Sequence, residues 1–166
     1  CVSLRNLCFG KENRFIHGEF GWNYRMTNIQ AAVGLAQLER LDKIVKKKRE
    51  IGSLYNRFLD SIPHITLPLP KINYAKNIYW VYGIVLDQDI DTNIIKRDLL
   101  ESGIQTRSFF YPMHKQPMLK QYVNRDINKF PVSEFLSIQG FYLPSGLGLT
   151  KSKINRVAKV LINLLK

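Results

Sequence analysis

The tetrad Thr27-Asn28-Ile29-Gln30 and the apolar period that follows it constrain this chain most. A Thr hydroxyl can accept from the amide three residues on, while the Gln30 side chain reaches back to the Thr27 amide; this reciprocal pair is a capping box and starts a helix. Ile29, Val33, Ala36, Leu41, Ile44, Val45, Ile51, Leu54, Tyr55 and Phe58 then recur at spacings near three and four. That period predicts one long helix from Asn28 to about Leu59, ended by Asp60-Ser61-Ile62-Pro63. Gly34 and Gly52 lower its helix propensity and would allow close packing. A helix of this length exceeds what one small domain needs, and suggests a crossing between domains or an oligomer contact.

Asn23, Tyr24 and Arg25 sit just ahead of the cap. A helix start has unpaired N–H groups and a dipole that favours anions, so an amide, a phenol and a guanidinium beside it suit phosphate. Taken by themselves, the same residues are more simply those of an ordinary capped amphipathic helix. Residues 1–20 have no clean period. Val2, Leu4, Leu7 and Phe9 fit a short helix or strand, Gly10-Lys11-Glu12-Asn13 reads as a turn, and His17 reads as a surface residue.

Beyond the helix, the prolines of His64-Ile65-Thr66-Leu67-Pro68-Leu69-Pro70 exclude a central strand and predict an extended crossing, with His64 exposed. Tyr79–Leu86 is rich in aromatic and β-branched residues and predicts a buried strand. Asp87 to Asp91 reads as a turn. Asp91 caps a helix through Leu100 that Gly103 ends. Ile104–Arg107 reads as a strand, Pro131 starts a short helix closed by Gly140, and Phe141–Pro144 is a short strand. Thr150 caps a last helix with Ile154, Val157, Val160, Leu161 and Leu164 on one face. This order gives an α/β layer, a small sheet covered by helices on one side.

The chain has 166 residues, about one domain's length, with 45% hydrophobic residues. No apolar run approaches the ~20 residues of a membrane helix, and no signal peptide is visible. The first residue is Cys1 rather than Met, which suggests a processed or excised piece, or a trimmed sequence. Cys1 and Cys8 form neither a metal spacing nor a disulfide framework and read as reduced cytoplasmic thiols. A formal net charge of +12 attracts polyanions. Much of it lies in Lys43–Arg49, which reads as a solvated helix face. Zinc-finger spacing and the RNA-recognition aromatic signature are both missing, so charge alone carries a nucleic-acid reading.

Gly103-Ile104-Gln105-Thr106-Arg107-Ser108-Phe109-Phe110-Tyr111-Pro112-Met113-His114 is a second polar constellation. Arg107 offers a planar fork for phosphate or carboxylate, and Tyr111 and His114 add a phenol and an imidazole. A strand with a satisfied Arg and a packed aromatic corner accounts for it equally well.

Two blocks carry a resemblance. Gly21–Leu38 resembles the G-x-N-Y-R-M/L-x-x-x-Q-A-A-x-G-x-x-Q-L segment of the DegT/DnrJ/StrS family of pyridoxal-phosphate-dependent nucleotide-sugar aminotransferases. Gly103–His114 resembles that family's G-I-x-T-R-x-F-F/Y-x-P-x-H segment. Pro117, Pro131-Val132-Ser133-Glu134 and Leu143-Pro144-Ser145 fall where the family has related residues. Trp22 stands where Tyr or Phe is common, which keeps the aromatic character. The wording is most similar to the subgroup that aminates C4 of GDP-4-keto-6-deoxymannose, the perosamine synthases.

The resemblance covers about the whole chain and implies the C-terminal part of a fold-type-I aminotransferase. Residues 1–27 would be the end of the large cofactor domain, 28–62 a long linking helix, and 63–166 a small α/β domain with a mostly antiparallel sheet. It implies cofactor-binding roles for Asn23, Tyr24 and Arg25, with Asn23 reaching the phosphate of the opposite subunit in a homodimer. It implies that Arg107, Tyr111 and His114 line the nucleotide-sugar cleft, and that glutamate is the amino donor, in a cytoplasmic enzyme serving surface polysaccharide (lipopolysaccharide O-antigen) synthesis. No metal is implied. The family's Schiff-base lysine, in its S-x-x-x-x-K and G-E-G-G context, is not in this sequence, and Lys11 lacks that context. The chain alone is therefore expected to be inactive, with no catalytic residue of its own. The alternative is a non-catalytic dimerisation or anion-binding module.

Overall fold

The computed structural model describes every residue except 11, 13, 14, 61 and 123–129. The chain divides into two compact units, Cys1–Asp42 and Lys43–Lys166.

In the first unit a one-turn helix, α1 (Val2–Arg5), is followed by an irregular segment and α2 (Asn28–Leu38). The segment at Trp22 runs back along the end of α1: the Trp22 amide donates to Leu4 O at 2.7 Å, the Leu7 amide to Trp22 O at 3.1 Å and the Tyr24 amide to Arg5 O at 2.9 Å. The capping box forms as expected, with the Gln30 amide donating to Thr27 Oγ1 at 3.3 Å and the Thr27 amide to Gln30 Oε1 at 2.9 Å. The turn expected at Gly10–Asn13 lies partly outside the described residues.

The single helix expected over 28–62 is two. After α2 the chain turns at Glu39–Arg40, and α3 occupies Leu41–Leu59. The Arg40 amide donates to Gln37 O at 3.1 Å, three residues back instead of four. This tighter closure ends the α-helical ladder without any glycine or proline.

In the second unit the sheet order is β1 (Ile65–Thr66), β4 (Tyr82–Leu86), β6 (Gly140–Leu143), β5 (Arg107–Ser108), with every neighbouring pair antiparallel. β1 lies at the sheet edge, where the proline-rich stretch allows a strand. β2 (Lys71–Ile72) and β3 (Ala75–Lys76) form a separate hairpin that the sequence pattern did not reveal. Three further α-helices, α4 (Thr92–Glu101), α5 (Pro131–Gln139) and α6 (Lys151–Leu164), follow the expected caps. Asp91 accepts from the Asn93 amide at 2.8 Å, and Thr150 Oγ1 from the Lys153 amide at 3.3 Å.

Two strands are shorter than their composition suggests. Tyr79 has φ +51°, a left-handed value that breaks an extended run, so β4 begins only at Tyr82. The Ile104 amide closes the end of α4 on Leu99 O at 2.8 Å, beside Gly103 at φ +73°. Ile104 is thus spent on the helix cap, and β5 starts at Arg107.

Alternation along β4 buries Tyr82, Ile84 and Leu86 on one face. They join Ile51, Tyr55 and Leu59 of α3, Ile95 and Leu99 of α4, Phe141 and Leu143 of β6, and Ile154, Val157 and Leu161 of α6. On the other face Phe109 lies over Gly83, where an added Cβ would come within 2.8 Å of its ring. A small antiparallel sheet backed by helices agrees with the α/β class expected.

Candidate functional site

Two clusters carry the polar groups, one in each unit. In the first, Arg25 Nε donates to Asn23 Oδ1 at 3.0 Å. Trp22 and Tyr24 stack with ring centroids 6.1 Å apart and 8° between their planes. Tyr24 is exposed, and neither its hydroxyl nor the Asn23 side-chain NH2 has a hydrogen-bond partner among the described residues. The capping box satisfies the Thr27 and Gln30 amides. Helix geometry leaves the Asn28 and Ile29 amides without intrahelical acceptors. A guanidinium oriented by its neighbour, an unused NH2 and two helix-start amides, close in sequence, are donors of the types that suit a phosphate.

In the second unit Arg107, paired with Tyr142 across β5 and β6, lines a cavity of ≈ 400 Å³ with Gln105, Thr106, Leu143, Pro144 and Ser145. Its guanidinium makes no hydrogen bond among the described residues. The far rim is tied to α3. Lys48 Nζ donates to Ser145 O at 2.6 Å and Oγ at 3.2 Å, and Tyr55 Oη donates to Pro144 O at 2.8 Å. Burial pushes the Lys48 amine below its ordinary pKa and the Tyr55 phenol above its own. Lys43–Arg49 is therefore more than a solvated face, since Arg49 Nε also donates to Asn77 O at 3.2 Å.

Of the three residues expected in this cleft, Arg107 alone lines that cavity. Tyr111 is exposed, with its hydroxyl unpartnered among the described residues. His114 is engaged elsewhere: its Nε2 lies 2.9 Å from Glu134 Oε1, and its ring lies 4.7 Å from that of Phe130. Lys115 Nζ takes the other Glu134 oxygen at 2.6 Å. The hydrogen bonds from Lys115 and then His114 hold the Glu134 carboxyl below its usual range. A second, more open cleft of ≈ 370 Å³ carries Phe109, Phe110, Val132 and Leu136 and shares Tyr142 with the first. His64 is exposed as expected and contacts Asp87 Oδ2 at 3.0 Å.

Sequence reasoning missed Lys48 and Glu134. Lys48 was one lysine in a basic run, and only its distant contact with Ser145 distinguishes it. Glu134 stood in a recognised motif, but nothing local pointed to His114.

The fold and the two clusters define an α/β module with two separate groups of polar side chains, one in each unit. The chain belongs to the DegT/DnrJ/EryC1/StrS aminotransferase family, whose model matches residues 1–162. It is 36% identical over 169 residues to a GDP-perosamine synthase of Vibrio cholerae, covering 98% of this chain and 44% of that protein. A GDP-perosamine synthase of Escherichia coli O157:H7 is 30% identical, covering 93% and 40%. Among solved structures, Helicobacter pylori PseC, an aminotransferase involved in the biosynthesis of pseudoaminic acid, superposes with a TM-score of 0.85 at 22% identity, covering 98% of this chain and 44% of that one. The chain spans less than half the length of the curated relatives it matches. Among the described residues, no helix is long and apolar enough to cross a membrane.

Proposed function

We propose that this chain is the C-terminal part of a pyridoxal-phosphate-dependent aminotransferase. The whole protein transfers an amino group from glutamate to a nucleotide-linked 4-keto-6-deoxy sugar, of the perosamine type, for surface polysaccharide synthesis. The observation that carries this reading is the 36% identity to a GDP-perosamine synthase along 98% of the chain. The donor set at Asn23–Ile29 supports it, because a phosphate-bearing cofactor needs such groups.

In this reading Asn23 and Arg25 hold the cofactor phosphate of the opposite subunit in a cytoplasmic homodimer, with Tyr24 beside them. When bound, pyridoxal phosphate supplies the electron sink for exchange of the amino group. Arg107 binds a charged oxygen of the nucleotide sugar in its cavity, and Lys48 holds the opposite rim at Ser145. Tyr111 reaches the sugar from its exposed position, and His114 is oriented for it by Glu134. The lysine that anchors the cofactor is supplied by the rest of the protein, so this chain alone does not transaminate.

The test joins this chain to the coding sequence upstream of Cys1. The longer protein is expected to show the visible absorbance of bound cofactor, and to aminate GDP-4-keto-6-deoxymannose with glutamate. Asn23→Ala in that protein should weaken cofactor binding at least tenfold. A longer protein with no cofactor band would end the reading.

The exposed apolar residues of α2, Ile29, Val33 and Leu38, favour a second reading, a non-catalytic dimerisation or anion-binding module. That reading requires a dimer of this chain alone with affinity for a nucleotide sugar. A plain monomer without such affinity in sedimentation and titration would remove it.

A further inference from the structure

Gln105 and Pro144 form part of two walls. One side faces the Arg107 cavity; the other faces a separate cavity of ≈ 330 Å³, also lined by Gly103, Ile104, Lys153 and Arg156. We propose that this second cavity is an anion site that binds the phosphate group of a small phosphorylated metabolite. The proposal does not depend on the activity of the whole protein.

The cations are arranged for it. Arg156 Nη2 donates to Ser102 O at 2.7 Å, which pins the guanidinium beside the left-handed turn at Gly103. A Cβ at Gly103 would lie 3.8 Å from that nitrogen. One bond fixes the fork and leaves its other N–H groups available, so little side-chain freedom remains to be lost on binding. Lys153 lies three residues earlier on the same helix, a spacing that puts the two side chains side by side. The Lys153 ammonium has no hydrogen bond or ion pair among the described residues. Several other cations of this unit are engaged: Lys48 on Ser145, Lys96 on Ser108, Lys115 on Glu134 and Arg97 on Asp98. Lys153 shares its open side chain with Arg107, Lys151 and Lys159, and differs from Lys151 and Lys159 in lining this cavity beside a pinned guanidinium.

The lining contains no carboxylate. Gln105 adds an amide, and Ile104, Leu149 and Val157 give an apolar wall. That combination suits a phosphate attached to a small carbon skeleton. The volume is near the lower end of small-ligand pockets, about 300–1,000 Å³. It is large enough for one small phosphorylated molecule.

The experiment is a 15N NMR titration of the whole 166-residue chain with inorganic phosphate and with glucose 6-phosphate. Saturable shifts are expected at the amides of 103–105 and 153–157. Replacing both cations, Lys153→Gln with Arg156→Gln, should weaken binding at least tenfold. Lys153→Gln alone breaks no bond in the fold and should weaken it severalfold. The control pair Lys151→Gln with Lys159→Gln removes the same charge from the same helix outside the cavity and should leave binding within twofold. Shifts that spread over the surface without saturating would overturn the proposal. So would saturation centred on Arg107, unchanged binding in Lys153→Gln, or equal loss in the control pair.

Discussion

The two units spend their apolar residues in opposite ways. In Cys1–Asp42, Phe20 is 95% exposed and Ile29 78%, and Cys8 is the buried hydrophobic residue among those described. In Lys43–Lys166, Tyr55, Tyr82, Phe141, Ile154 and Leu161 are all 0% exposed. The second unit therefore carries the hydrophobic driving force for folding. The first is held by local devices: a capping box, a few backbone bonds beside α1 and a stacked aromatic pair. An 11-residue helix such as α2 is marginal on those terms. The proposed cofactor-phosphate residues lie in the unit that buries Cys8 alone of its described hydrophobic residues.

The contrast can be broken most directly in the core. Phe141→Ala is expected to cost about 3–5 kcal/mol in urea unfolding, whereas Val33→Ala on α2 should stay within about 0.5 kcal/mol. Similar losses at both positions would erase the distinction. Gly83→Ala should cost about 1–3 kcal/mol, because a methyl there must displace the Phe109 ring. Tyr55→Phe removes the donor to Pro144 O and should cost about 1 kcal/mol, read as a lowered Tm. In the first unit, Thr27→Ala removes a cap worth about 1 kcal/mol. It should fray α2 in circular dichroism without moving the main unfolding transition.

The smallest effect concerns Glu134. Its pKa is depressed in the fold, so its contribution is present above the unfolded carboxylate range, near pH 4.3, and is lost as pH falls through the lower folded value. The His114 contact should then loosen on acidification below the ordinary carboxylate range, seen as a change in the His114 ring resonances. Glu134→Gln should abolish that acid step.

What could be read from the sequence was mostly local. Thr27, Asp91 and Thr150 cap their helices because a short side chain reaches an amide two or three residues ahead. The aromatic and β-branched composition of Tyr79–Leu86 likewise reported a buried strand, which the structure confines to Tyr82–Leu86. The turn at Glu39–Arg40 carries no glycine or proline, so the apolar period ran across it unbroken. Ile104 has strand-forming character, yet its amide closes α4, a choice set by the left-handed turn at Gly103. The site divided the same way. Asn23 and Arg25 were legible as neighbours, whereas Lys48 with Ser145 and His114 with Glu134 depend on packing between distant segments.

Hydrogen–deuterium exchange tests the central claim, that a self-sufficient domain carries an arm completed by the rest of the protein. It would be measured on this chain and on the longer protein. In the chain alone, amides of β4, β6 and α6 should be protected to the level of global unfolding, and those of α2 should exchange almost freely. In the longer protein α2 should become protected. Strong protection of α2 in the chain alone, or its absence in the longer protein, would contradict the account.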